Sequence, residues 1–200
     1  MSCKQRDVAL ASRRWKFIAK MAMPRSLNPT MSRTPKPKIL VIGIGNAYRG
    51  DDGVGLVAAR RLKNQRSTSF RVLEHHGEGA DLMTCWEGAD AVILVDAVQS
   101  GAKPGTLHRW NAGRRPLPAR TFRGSSHAFS LVAAVELARV LRRLPQRLIV
   151  YGVEGRDFRA GTGLSSETEE AVSDLVQRVL REVGQKSCGR MGETKDCGPE

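Results

Sequence analysis

Apolar positions along this chain follow two alternating rhythms. Short runs that are apolar at nearly every position read as strands buried on both faces. They fall at 38–43 (Ile39, Leu40, Val41 and Ile42, stopped by Gly43), at 91–95 with Asp96 closing the run, and at 147–153, and a further strand is expected at 70–74. Between them the apolar residues recur at helical spacing. Val54, Val57, Ala58 and Leu62 predict a helix of about a dozen residues, and Leu82, Cys85 and Trp86 predict a short one over 81–87. A strongly apolar helix is predicted over 128–144. The last begins near Ser165 or Ser166 and presents Val172, Leu175, Val176, Val179, Leu180 and Val183 along one face before Gly184 ends it. Ser166 and Glu169 have capping-box spacing. Residues 101–126 are rich in turn signals, with a short strand expected at 106–110.

Continuously apolar strands alternating with helices predict an α/β fold: a single domain with a twisted, mostly parallel β-sheet sandwiched by helices. In such sheets ligands bind beyond the carboxyl ends of the strands, where the winding reverses. Polar residues just after strands are therefore the first candidates for chemistry. No apolar run approaches the roughly 20 residues needed to cross a bilayer.

Charge divides the chain. Of the formal net charge of +13, residues 1–38 supply nine, with ten Lys/Arg against Asp7 alone, which leaves four for the remainder. A mildly basic folded part does not make a phosphate-binding stripe, so nucleic acid is not an expected partner. The locally basic stretch from Arg109 to Arg123 reads as a solvated loop. Residues 1–36 form a basic extension, expected to be disordered, without the apolar core of a secretory signal. Met21, Met23 and Met31 offer alternative starts, and translation is expected to begin near Met31. The folded domain is expected over 37–184, followed by a disordered tail at 185–200. Four cysteines (Cys3, Cys85, Cys188, Cys197) without any C-x-x-C pair suit a reducing, cytoplasmic setting.

Three segments carry candidate chemistry. The first, Gly43 to Gly55, opens like a dinucleotide fingerprint, but Tyr48 stands where the third glycine belongs. Asp51 and Asp52 occupy the place where a phosphate would meet a helix N-terminus; two carboxylates there repel an anion and invite a cation. One of them suffices as a cap, so Asp51 is assigned to capping and Asp52 to chemistry. The second is Asp96, whose burial at a strand end is costly unless it is paired or coordinated. The third is His127, after Gly124-Ser125-Ser126 and before a helix, a suitable ligand or base. His75 and His76 are reserve candidates, and His108 reads as an exposed strand residue. Two carboxylates and an imidazole at one sheet edge suit a borderline divalent ion, nickel or zinc, with open positions.

These residues resemble the hydrogenase maturation endopeptidase family. The resemblance spans about 38 to 183 and rests on Ile-Leu-Val-Ile-Gly-Ile-Gly-Asn, Asp-Asp-Gly-Val-Gly, Ile-Leu-Val-Asp-Ala-Val and Ser-Ser-His. Val-Tyr-Gly-Val-Glu-Gly and Gly-Thr-Gly-Leu-Ser follow in the same order. It implies a helix-sandwiched sheet and a nickel-recognising set that falls on Asp52, Asp96 and His127, which are also the catalytic candidates. The implied partner is the nickel-loaded large-subunit precursor of a [NiFe] hydrogenase, from which a C-terminal peptide is removed. The nickel arrives with the substrate. It could position the scissile peptide and act as a Lewis acid, or one carboxylate could act as general base; the residues do not choose between these. No G-x-S-x-G elbow or H-E-x-x-H is present. The competing readings are a non-proteolytic nickel-binding chaperone, a general metalloprotease and a Rossmann-like nucleotide-binding protein, the last resting on Gly43, Gly45 and Glu74. The oligomeric state, the client hydrogenase and the bond cut are not legible.

Overall fold

In a computed structural model of the chain, the residues described are 39–65, 69–122, 131–161 and 163–184, all within one compact unit, Lys36–Glu200. Both the basic extension and the tail at 185–200 lie outside the described residues. The elements are β1 (Ile39–Ile44), a 3-10 turn (Gly50–Gly53), α1 (Val54–Lys63), β2 (Arg71–His75), α2 (Gly79–Trp86) and β3 (Ala91–Val98). They continue with β4 (Leu107–Asn111), a second 3-10 turn (Ala119–Phe122), α3 (Leu131–Val140), β5 (Arg147–Glu154) and α4 (Ser166–Gly184). No helix among these residues is long and apolar enough to cross a membrane.

The strand order is β2-β1-β3-β5-β4. The first four strands are parallel, and β4 closes one edge antiparallel to β5. Alternate residues of each strand enter separate cores. Ile39, Val41, Ile93, Val95, Ile149 and Tyr151 pack with α1 and α4 on one face. On the other, Leu40, Ile42, Val92, Leu94, Leu148 and Val150 pack with α2 and α3. The sheet is thus sandwiched, and its winding reverses between β1 and β3.

Element edges differ from expectation where backbone geometry intervenes. The helix expected over 128–144 stops at Val140 because Arg142 takes a left-handed conformation (φ 55). Arg142 N–H donates to the Arg139 carbonyl (3.1 Å) and Arg143 N–H to that of Ala138 (2.8 Å), the Schellman pattern with arginine where glycine is usual. Residues 128–130 of that expected helix lie outside the described residues. Cys85, expected to be buried with Leu82 and Trp86, is only half-buried.

At the start of α4 the expected capping box does not form. Ser166 Oγ bonds Glu167 (3.0 Å), Glu169 pairs with Arg61, and Ser165 Oγ meets Thr168 Oγ1 (2.9 Å).

β3 runs three residues past Val95, beyond its expected end, because β5 continues pairing with it through Asp96↔Gly152, Ala97↔Val153 and Val98↔Glu154. Pairing with β1 ends at Gly43↔Val95. Asp96 therefore lies inside the strand, at the step where β1 has left and β5 has not.

Candidate active site

The loop leaving β1 folds back on itself. Gly45, with φ 150, allows Asn46 N–H to reach the Asp52 carbonyl (3.2 Å); a Cβ on Gly45 would lie 1.9 Å from that oxygen. Asp52 N–H donates to Arg49 O (3.0 Å), and Arg49 N–H to Asn46 O (3.1 Å), closing a compact loop with Asp52 at its base. Just beyond, α1 crosses the switch point with its backbone against the strands: a Cβ on Gly55 would lie 2.2 Å from Ile44 O and 2.4 Å from Val95 O. These close approaches hold Asp52 beside the ends of β1 and β3.

Asp51 and Asp52 are both fully buried and point to different tasks. Asp51 Oδ2 accepts the amides of Arg156 (2.7 Å) and Asp157 (2.9 Å) and the Ser165 hydroxyl (2.9 Å), while Oδ1 accepts the Ser165 amide (2.7 Å). The expectation that Asp51 caps its own helix is not met. Gly53 is the N-cap of α1, without a side-chain cap, and Asp51 instead ties the turn to the loop that links β5 to α4.

Asp96 is also fully buried. Its Oδ1 accepts the amide of Ala97 at 2.9 Å, and its Oδ2 has no hydrogen-bond partner among the described residues. Burial first, and the charge of Asp52 second, push the Asp96 carboxyl well above its ordinary 3.8, against the lowering effect of the Ala97 amide. The structure thus brings two of the three expected site residues, Asp52 and Asp96, into electrostatic contact at the switch point. His127 lies outside the described residues.

The reserve histidines are engaged elsewhere. His75 Nδ1 accepts the Gly77 amide (2.8 Å), so Nε2 carries the proton and donates to Asp81 Oδ2 (3.1 Å). With Asp81 and Cys85 it forms the His/Asp/Cys grouping found among the described residues, but a protonated nitrogen aimed at a carboxylate offers a metal no lone pair. His76 is exposed on the loop that follows β2. His108 is half-buried rather than exposed, stacked on Trp110 (centroids 5.3 Å apart) and 3.3 Å from Glu154 Oε2.

Two buried acids escaped the sequence reading. Glu154, at the end of β5, accepts the amides of Ser100 and Gly101 (both 2.8 Å) and the Ser100 hydroxyl (2.7 Å), pinning the loop after β3. Glu182 on α4 accepts Arg109 (two bonds at 2.9 Å), Tyr151 (3.0 Å) and Arg147. It borders a cavity of about 430 Å³ lined also by Arg178 and Arg181, where α4 meets β4 and β5. That cavity includes neither Asp52 nor Asp96. Glu182 had a signal in the sequence, since it lies three residues beyond Val179 on the core-facing stripe.

A nucleotide site is disfavoured by the same geometry. Glu74, which would hold a ribose, bonds Arg60 (2.9 Å) and Lys63 (2.7 Å), and the helix entrance is filled by buried carboxylates.

Comparison with known proteins identifies relatives of the chain as a whole. The family model described as hydrogenase maturation protease matches residues 57–182, a stretch that contains Asp96 and His127 and begins after Asp52. The hydrogenase expression/formation protein HupD of Thiocapsa roseopersicina is 29% identical over 154 residues, covering 74% of this chain and 69% of that protein. HoxM of Azotobacter vinelandii is 29% identical over 170 residues, covering 82% of each. Among solved structures, the hydrogenase maturating endopeptidase HybD from E. coli superposes with a TM-score of 0.63 at 25% identity, over 74% of this chain and 93% of that one.

Proposed function

The chain belongs to the hydrogenase maturation protease family and is a peptidase; from that premise we propose that it removes a C-terminal peptide from the nickel-loaded large-subunit precursor of a [NiFe] hydrogenase. In this reading Asp52, Asp96 and His127 meet the nickel carried by the substrate. The supporting observation is the buried Asp52–Asp96 pair: burial first, and the Asp52 charge second, hold Asp96 above its ordinary range. A divalent cation relieves both costs at once.

Face and connectivity support the third member. Asp96 shares its side of β3 with Val92, Leu94 and Val98, which pack against α3. His127 stands four residues before α3 begins.

Burial and the Asp52 charge favour the protonated form of Asp96 in the empty site. Nickel held there would favour the carboxylate form of both acids. Held by Asp52, Asp96 and His127, it would fix the scissile peptide at the sheet's edge, where orientation lowers the barrier. Nickel as Lewis acid or a carboxylate as general base can prepare the attacking water. A thiol nucleophile is disfavoured, because burial and the Asp81 charge push Cys85 upward from 9.0 and leave it protonated at neutral pH. Requiring nickel for binding discriminates against unloaded precursor. Such a client places the reaction in the cytoplasm, where nickel insertion would precede it.

The test is incubation of nickel-loaded precursor with wild-type protein, Asp96→Asn and His127→Ala, read by intact mass. Loss of one C-terminal peptide with wild type alone is the expected result. An unchanged precursor mass with a matched client, together with nickel binding by the isolated chain, moves the assignment to a nickel chaperone.

A further inference from the structure

The loop that carries Asp52 also carries a ring that the fold does not use. Tyr48 is 82% exposed, yet its backbone is fully committed. Its N–H donates to Asn46 Oδ1 (3.0 Å), and its carbonyl accepts the Gly161 amide (3.0 Å). On either side, Asn46 and Asp52 bond each other across the loop base, and Arg49 Nε reaches the Phe158 carbonyl (3.3 Å). The loop is therefore held in place by its main chain and by Arg49, while the aromatic ring stands out at its tip, four residues before Asp52.

A single exposed apolar side chain needs no explanation by itself. This one differs in place and in preparation. It shares a closed loop with a carboxylate of the site, and the main chain that presents it is already ordered. An aromatic ring with two side-chain torsions, carried on a fixed backbone, loses little entropy when covered. It provides broad contact with an apolar body and a polar tip, which suits a peptide segment.

We propose that Tyr48 is a specificity contact, packing its ring against the polypeptide of the protein substrate beside the carboxylate pair. The inference rests on the proposed function above and adds to it a contact that depends on polypeptide rather than on metal. Nickel selects the loaded state of the client, and Tyr48 grips the chain around the bond to be cut.

The experiment is steady-state cleavage of nickel-loaded precursor by wild type, Tyr48→Ala and Tyr48→Phe, with thermal melts of all three. Tyr48→Ala is expected to raise KM about tenfold, equivalent to about 1.4 kcal/mol, with kcat within about twofold. Its melting temperature should match wild type, because the ring supports nothing in the fold. Tyr48→Phe keeps the ring and should keep KM within about twofold. Cleavage by wild type with an unchanged KM for Tyr48→Ala overturns this inference and leaves the proposed function standing. A KM change accompanied by a lowered melting temperature overturns it as well, since the ring would then be structural. If Tyr48→Phe behaves like Tyr48→Ala, the ring is not the contact and the inference falls. Failure of wild type to cleave removes the proposed function and this inference with it.

Discussion

Gly55→Ala is expected to destabilise the protein, against the usual sign of the change. In an ordinary helix, alanine in place of glycine is worth about 1 kcal/mol. Here the new methyl would lie 2.2 Å from Ile44 O, 2.4 Å from Val95 O and 2.7 Å from Ile44 N, whereas ordinary contact begins at 3.4 Å. The first two gaps are short by about 1 Å, and every obstacle is main chain of β1 or β3, which no side-chain rotation clears. Either α1 must rise off the sheet or the strands must part. Overpacking costs about 1–3 kcal/mol, occasionally more; with backbone as the obstacle we expect about 3 kcal/mol, at the upper end of that range. Gly53→Ala is the matched control two residues earlier. Its φ is −79, and its Cβ would meet only Ala47 Cα at 3.5 Å and Asn46 O at 3.6 Å, so it should be neutral or stabilising by up to about 1 kcal/mol. Urea denaturation followed by circular dichroism measures both. A Gly55→Ala midpoint within about 0.5 kcal/mol of wild type would refute the close-packed crossing.

Further outcomes follow from the buried charges. Because the folded chain holds Asp96 above 3.8, it keeps a proton that the unfolded chain releases, and stability falls as pH rises from that value toward the folded one. Asp96→Asn removes this contribution, so its stability relative to wild type should grow from about pH 4 upward in metal-free protein; a flat difference in urea titrations across that window counts against the coupled pair. For Glu182, burial raises the carboxyl but the Arg109 and Tyr151 hydrogen bonds outweigh it, leaving a lowered value. Its stabilisation is present above 4.5 and lost as pH falls through the folded value. Glu182→Gln should cost about 3 kcal/mol at neutral pH, a gap that denaturation in acid should see close. Cys85→Ser should leave precursor cleavage within about twofold, and loss of activity in a peptide-release assay would instead indicate a thiol nucleophile.

The sheet was legible because β1, β3 and β5 are almost continuously apolar, a pattern that suits a helix-covered parallel sheet. Ile39–Ile44 and Arg147–Glu154 fall within a residue or so of expectation. Asp96 was legible as a buried acid but not as a strand residue, because the continuation to Val98 depends on pairing with β5, some fifty residues away. Asp51 shows the same limit. Two adjacent acids signal that one is structural, but the amides it accepts belong to residues 156, 157 and 165, and local spacing carries no trace of them. The end of α3 at Arg142 was missed because a left-handed arginine has no compositional mark, whereas glycine would have announced it.

The hydrogen bond from the Ala97 amide to Asp96 Oδ1 carries a consequence for ligation. With Oδ1 engaged by the strand, Oδ2, which has no partner among the described residues, marks the direction from which a cation would be met. An asparagine that kept the bond to Ala97 would turn its NH₂ into that same direction. Asp96→Asn would then do more than remove a charge: it would aim a donor where an acceptor stood, leaving a group that turns a cation away.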